Sequence, residues 1–292
     1  MLSSLPRIVK LRQFTDTTWK YAIFICGASS ILILLLLLIF IVREGLPALT
    51  EIGFFKFISG STWSVSGDEF GVRNFIVGSL YVVALALVMA VPLGILCAVF
   101  LAEVAPDWVR RIVRPAVELL VGIPSVIYGL VGLFLLVPQI AKLGGYGDSI
   151  LAGAIVLTVM ILPTIISISE DSIRAVPSVY KEGALALGAT RWQMIWHVVL
   201  PASWSGILAG IVLGLGRGIG ETMAMIMVLG NSLSLPVLPT DSGSTLTTRI
   251  AMETKYAAGL HWEALFATGI VLMLFILAIN STAMILRRRQ ER

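Results

Sequence analysis

Residues 182–201 read EGALALGATRWQMIWHVVLP, and the meaning of the chain turns on them. This is the one long helix-patterned segment that is not itself a membrane span. Gly188 stands where a helix would close on a left-handed residue, a conformation glycine adopts without steric penalty. Two positions later, Thr190 to Gln193 has the S/T-x-x-E/Q form of a capping box, so a second helix is expected to begin there. Pro201 then ends that helix or opens the next element. A helix, a glycine hinge and a second helix between two apolar spans suit a device that passes force across a membrane surface.

On either side of this connector, 170–203, the chain is a series of apolar runs. Before it lie spans at about 21–42, 74–101, 116–140 and 149–169; after it lie 204–229 and 262–286. Each is long enough to cross a hydrocarbon core of about 30 Å. Pro92 and Pro163 fall inside spans, Pro92 as an expected kink. Gly122-Ile-Pro-Ser125 is a break that membrane helices tolerate where neighbours or water satisfy the freed backbone groups. A Gly-rich turn is expected from Leu143 to Asp148. Six spans place both tails, 1–20 and 287–292, on one side. About 14 of the 21 Lys and Arg residues lie in those tails and the even-numbered loops, against about 6 in the odd-numbered loops. By the positive-inside rule both termini are therefore expected in the cytoplasm.

Composition agrees. The chain has 292 residues, 58% hydrophobic and 13% charged, with a mean hydropathy of +0.96; a soluble domain carries roughly 25% charged residues. The fold class expected is an all-α polytopic membrane protein with a lipid-facing surface. The net charge of +4 comes from short loops and tails and does not point to nucleic acid. Cys26 and Cys97 fall within spans as small buried residues, without a disulfide framework. The first apolar run is too long for a signal-peptide core and no cleavage site follows it.

One span carries charge. In the fifth, Gly206, Gly210, Gly214 and Gly218 recur every fourth residue, a pattern read as close helix packing. Arg217 and Glu221 sit near mid-span, four apart, and are expected to share one helix face. They either neutralise each other and pin the packing, or face a partner or wet cavity, since intramembrane ionisable groups are costly to insert. In the second case Arg217 offers a planar donor fork to an oxyanion, Glu221 restrains it and Thr222 adds a hydroxyl.

Particular residues carry a resemblance. Glu182, Ala184, Gly188, Leu200 and Pro201 match the EAA loop of ABC importer permeases, E-A-A-x3-G-x9-I-x-L-P, with Gly183 where Ala is usual and Val198 where Ile is usual. The Gly costs about 1 kcal/mol of helix propensity. The run Gly214-Leu-Gly-Arg-Gly-Ile-Gly-Glu-Thr-Met-Ala224 with Gly230-Asn231-Ser232 resembles the C-type permeases of phosphate-specific ABC importers (PstC-type). So do Val91-Pro-Leu-Gly94, Val121 to Gly129 and Thr245-Leu-Thr-Thr-Arg-Ile-Ala251. The Gly-Glu-Thr-Met-Ala form favours the C-type over the A-type subunit; Gly218 replaces a frequent Ala. The resemblance covers nearly the whole chain, most clearly from about residue 65. It implies the type I importer permease fold with a cytoplasmic coupling loop formed by Glu182, Gly183, Ala184, Gly188, Leu200 and Pro201. It also implies that Arg217 and Glu221 serve phosphate passage. The partners implied are a homologous A-type permease, two copies of a cytoplasmic ATPase that holds ATP and Mg, and a periplasmic phosphate-binding protein.

This chain contributes no expected catalytic or metal-ligating set and binds no cofactor of its own. No Walker A sequence is present, and no Lys follows a Gly, so a P-loop ATPase is excluded. His197 and His261 read as interface residues. In the last odd loop, Leu246, Ile250 and Ala257 have roughly helical spacing; this is either a helix on the outer surface or a platform for a binding protein. Two other functions fit the charged span: a permease for another oxyanion such as molybdate or sulfate, and an ion-coupled secondary carrier, against which the lack of inverted halves counts.

Overall fold

The computed structural model describes residues 5–142 and 146–290, with side chains from 17 to 281. Part of the turn expected at Leu143 to Asp148 lies outside the described residues, as do the side chains of the basic tails.

The first helix, α1 (Leu5–Ile52), runs 48 residues. It overshoots the expected end of the first span because nothing in Arg43 to Ile52 stops it; even Pro47 lies inside. At 1.5 Å per residue it is about 72 Å long, over twice a bilayer core. Helix α2 (Phe54–Ser59) and a short antiparallel hairpin, β1 (Trp63–Ser64) with β2 (Glu69–Phe70), follow. Helix α3 (Arg73–Val99) continues through Pro92 into a π turn, Phe100–Val104. Then come α4 (Asp107–Gly122), α5 (Ser125–Val131), a π turn (Gly132–Leu136) and α6 (Val137–Ala141). The chain bends by 97° between α4 and α5. The third span is therefore broken at Ile123-Pro124, and its first half turns away from the second. Proline at 124 holds the residue before it extended, which ends α4.

Helix α7 (Ile150–Arg174) opens on a Ser149 cap whose side chain accepts the Ala152 N–H. The connector holds α8 (Ser178–Ala186), α9 (Arg191–Met194) and a π turn, Ile195–Val199, that runs directly into α10 (Leu200–Gly220). Pro201 begins the next element and stops nothing. The chain closes with α11 (Met223–Val228), α12 (Leu246–Glu253) and α13 (Leu260–Gln290). Each of the three π turns ends two residues before a proline, at Pro106, Pro138 and Pro201. A proline donates no N–H and its ring crowds the carbonyl four residues back. Wider bonds, such as Leu200 N–H to the Ile195 carbonyl, move the ladder past it.

Among the described residues five helices are long and apolar enough to cross a membrane, or six when the bent pair is counted as one span. Helix α7 is the centre: 67% of its most apolar window is buried, against none for α1. The glycine stripe explains how α10 reaches it. A Cβ on Gly206 would lie 2.0 Å from Ser172 Oγ, and one on Gly210 or Gly214 only 3.1 Å from Ile168 or Ile165. From the other side, Gly94 of α3 meets Ile165. The core of Leu157, Met160, Ile161, Ile165, Met225 and Leu229 forms around that contact. Helix α1 touches the bundle mainly along α13, where Gly45 lets it approach the Ala267 backbone.

Candidate functional site

The charged span does not have its expected geometry. Helix α10 stops at Gly220, and Glu221 is extended, with φ −68° and ψ 128°. Arg217 and Glu221 therefore do not share a helix face, and no ion pair joins them among the described residues. The physical cause lies in the sequence: Gly216, Gly218 and Gly220 alternate through the last turn, and each costs the helix about 1 kcal/mol relative to Ala. Gly216 and Gly220 have no neighbour within 4 Å of a would-be Cβ, unlike the packing glycines before them.

Glu221 serves the break itself. Its Oε1 accepts the N–H groups of Thr222 (3.1 Å) and Ala224 (3.2 Å), orphan donors at the start of α11. The Thr222 hydroxyl donates to the Gly220 carbonyl, and Thr247 of α12 donates to the Glu221 carbonyl at 3.0 Å. Arg217, half-buried, makes no hydrogen bond or ion pair among the described residues. Its electrostatic neighbour is Tyr128 of α5, whose hydroxyl already donates to the Leu120 carbonyl at 2.8 Å. An unneutralised guanidinium within an apolar span, with its donor fork unspent, is suited to meet a mobile oxyanion.

The connector forms as its sequence requires. Gly188 has φ 84°. The Thr190 side chain accepts the Gln193 N–H at 3.3 Å while Gln193 Oε1 accepts the Thr190 N–H at 2.8 Å. Glu182, Gly183 and Pro201 are exposed, and Leu187 is 91% exposed at the hinge. Ala184 and Leu200 face inward, packed with Val176, Met194, Ile195 and Val199. Lys181 Nζ reaches Glu103 Oε1 at 2.5 Å, fastening α8 to the end of α3. The connector thus presents Glu182 and Leu187 outward on a fixed base. His197 is exposed beside it, its Nδ1 3.1 Å from the Gln193 carbonyl.

At the opposite end, α12 is not a helix lying on the surface. Leu246, Thr247, Thr248 and Arg249 are buried, and Thr245 and Thr248 form a second capping box. Arg249, 6% exposed, donates to Glu253 Oε1 (2.7 Å), Ser244 Oγ (2.8 Å) and the Asn231 carbonyl (3.0 Å), and lies over the Phe75 ring. Glu253 Oε2 also accepts from Trp63 Nε1 (2.8 Å) and from His261 Nε2 (2.7 Å). His261, expected as an interface residue, is buried and stacked on Phe70. Burial alone would raise the Glu253 carboxyl, but the bonds from Arg249, His261 and Trp63 hold it below the ordinary 4.5.

A further cluster escaped the sequence reading. Glu170, near the end of α7, is 1% exposed and lies 3.6 Å from Arg110, Arg114 and Arg174. The readable signal was Glu170 and Arg174 at i and i+4 where an apolar run ends.

The family described as binding-protein-dependent transport system inner membrane component matches residues 90–292. A probable ABC transporter permease, YqgH, of Bacillus subtilis is 42% identical over 92% of this chain and 91% of its own length. The phosphate transport system permease protein PstC of Pasteurella multocida is 35% identical over 96% and 92%; that of Mesorhizobium japonicum is 38% identical over 88% and 86%. Among solved structures, a chain of a bacterial alginate ABC transporter aligns with a TM-score of 0.68 at 20% identity, covering 95% of this chain and 98% of that one. A chain of the MetNI methionine ABC transporter aligns at 0.57 and 20% identity, over 76% and 95%. The fold is that of the ABC importer permeases.

Proposed function

The chain belongs to the family of binding-protein-dependent transport system inner membrane components, and we propose that it is one permease subunit of an ATP-driven importer of inorganic phosphate. The observation that carries the reading is Arg217: an unpaired guanidinium at a helix break inside a span, in a chain similar throughout to phosphate permeases. Phosphate would pass this guanidinium, taking charge-assisted hydrogen bonds from a fork that no carboxylate occupies. An open donor fork suits passage, because a carrier must also release. Thr222 and the Glu221 backbone frame the break.

In this reading a second, A-type permease completes the path, and a periplasmic phosphate-binding protein delivers the anion at the α12 end. Two copies of an ATPase, holding ATP and Mg, sit at the connector end, one of them on the exposed face around Glu182 and Leu187. The tails would then be cytoplasmic. This chain would supply the path and the coupling surface, and hydrolysis would reside on the ATPase.

The test is purification of the chain from its native membrane in mild detergent, with its companions identified and reconstituted into vesicles. ATP-dependent phosphate accumulation, unaffected by excess sulfate or molybdate, is expected. Suppression of uptake by either competitor would transfer the reading to that oxyanion. A chain reproducibly free of any ATPase, with uptake that follows a proton gradient, would overturn it in favour of a secondary carrier.

A further inference from the structure

We propose that Glu170 is a positioning residue for coupling. Its buried carboxylate clamps α4 to α7, so that movement of the 178–199 connector reaches the helix break at Glu221 through α4, α5 and α11. This rests on the importer reading above.

The argument starts with how α4 is held. None of its 16 residues is buried, and its apolar contact is limited to the half-buried Val109, Val113 and Val117. Its charged attachments to α7 are several. Arg110 Nε and Arg114 Nη1 each lie 3.6 Å from Glu170 Oε1, and Arg114 Nη2 lies 2.9 Å from Asp171 Oδ1. Burying a carboxylate is costly unless its charge is met. Here three guanidinia, with Arg174 at 3.6 Å as the third, meet the charge of one carboxyl oxygen, and none is close enough to hydrogen-bond it. One buried charge met by three cations, two from α4 and one from α7, resists separation of the two helices, so that they move as one.

The clamp lies on a continuous route. Glu170 is four residues before the end of α7, which leads almost directly into α8. The Lys181–Glu103 pair ties α8 to the segment just before α4. Both ends of this short region therefore bear on α4. At its far end α4 turns by 97°, and the Tyr128 hydroxyl locks the turn by donating to the Leu120 carbonyl. Helix α5 then presses on α11: a Cβ on Gly129 would stand 2.9 Å from Ala224 Cα. Helix α11 begins at Met223, directly beyond Glu221 and Thr222. Chains of packed side chains, ion pairs and rigid helices can carry coupling between distant sites; here α4 and α5 form a bent lever with an ionic clamp at one end and a glycine contact at the other.

The experiment uses the full complex in nanodiscs, with Cys26 and Cys97 replaced by Ser and spin labels on α8 at Ser178 and on α4 at Leu119, which is 74% exposed. In the parent complex the label distance should be the same with ADP as with a trapped ATP state, because the clamp moves both helices as one. With Glu170→Gln the distribution should broaden or shift between those states. Transport per ATP hydrolysed should fall about ten-fold, the scale on which residues along such networks modulate coupling, while hydrolysis persists. Arg111→Gln, on the same helix but outside the cluster, should leave both readouts unchanged. Should Glu170→Gln fail to assemble, Arg110→Gln removes one of the three cations and should give an intermediate effect. A parent distance that already changes with nucleotide, or a Glu170→Gln complex indistinguishable from the parent, overturns the proposal. The distance needs nucleotide and no substrate, so it still decides the matter if phosphate proves to be the wrong anion.

Discussion

Arg217 and Glu221, and Arg249 and Glu253, share the same Arg-x3-Glu spacing, and the two pairs have opposite fates. In α12 the helix runs unbroken from Leu246 to Glu253, and the pair closes at 2.7 Å. In α10 the helix ends one residue before Glu221, and the pair never forms. Spacing of four predicts contact only where the backbone stays helical between the partners. What separates them is the residue filling the interval: Gly-Ile-Gly in α10, Ile-Ala-Met in α12. The closed pair is structural, joining the hairpin, α12 and the start of α13 through Trp63 and His261. The open one leaves a cation unspent inside a span, and that is the property a passing anion can use.

The largest effect is expected at the closed pair. Arg249→Ala removes a buried guanidinium with its three hydrogen-bond partners and leaves the half-buried Glu253 without its cation; hydrogen bonds to a charged group are worth about 1.5–3 kcal/mol. A marked fall in the melting temperature of the purified complex is expected; an unchanged value would show that the pair adds nothing. Next, the open pair can be forced shut. Gly218→Ala with Gly220→Ala should favour a continuous helix by about 2 kcal/mol in all, and both positions have room, since Gly218 is 3.5 Å from Leu157 and Gly220 has no neighbour. Arg217 and Glu221 should then pair, and phosphate uptake should drop while the complex stays assembled. Uptake at the parent rate would mean that the break is not needed.

The third expectation concerns pH. The Glu253 carboxyl is held below its ordinary 4.5 in the folded protein, so its stabilisation is fully present above the unfolded value. It is lost as pH falls through the lower, folded value. Melting followed downward from pH 6 should show a loss below about 4.5 that is reduced in Glu253→Gln. An identical acid profile in the variant would assign that loss to other groups. The smallest effect is at the connector: Gly183→Ala meets no atom within 4 Å and should strengthen α8 by up to about 1 kcal/mol. It would be read as slower amide exchange across 178–186, and unchanged exchange would show that α8 is already fully formed.

Much of this was legible in the sequence for a simple reason: apolar runs of span length and local capping signals report on the backbone directly. The 182–201 stretch was readable to the residue at Gly188 and at Thr190–Gln193. The glycine stripe at 206, 210, 214 and 218 packs on α7, as its four-residue spacing predicts. The failures share a cause, since each depended on a tertiary choice. Gly216 and Gly220 look like the packing glycines, yet they face open space and weaken the helix. The 245–257 segment has surface-like polarity, but Thr245, Thr247, Thr248 and Arg249 are buried, with Asn231 and Ser244 accepting from Arg249 and Ser79 accepting the Leu246 N–H. Glu170 stood at the end of a span, where an acid reads as solvated, until α4 folded back over it. Pro124 was read as a break without the direction of the turn, which only packing against α7 and α11 decides.

The central claim is that an unpaired Arg217 serves the anion and does not hold the fold. The most direct measurement is phosphate uptake and ATP hydrolysis by the Arg217→Gln complex, reconstituted with all its companions. Loss of a charge-assisted hydrogen-bond donor, worth about 1.5–3 kcal/mol, predicts uptake reduced by about 10- to 100-fold with assembly and hydrolysis retained. Uptake near the parent rate, or a complex that no longer assembles, would contradict the account.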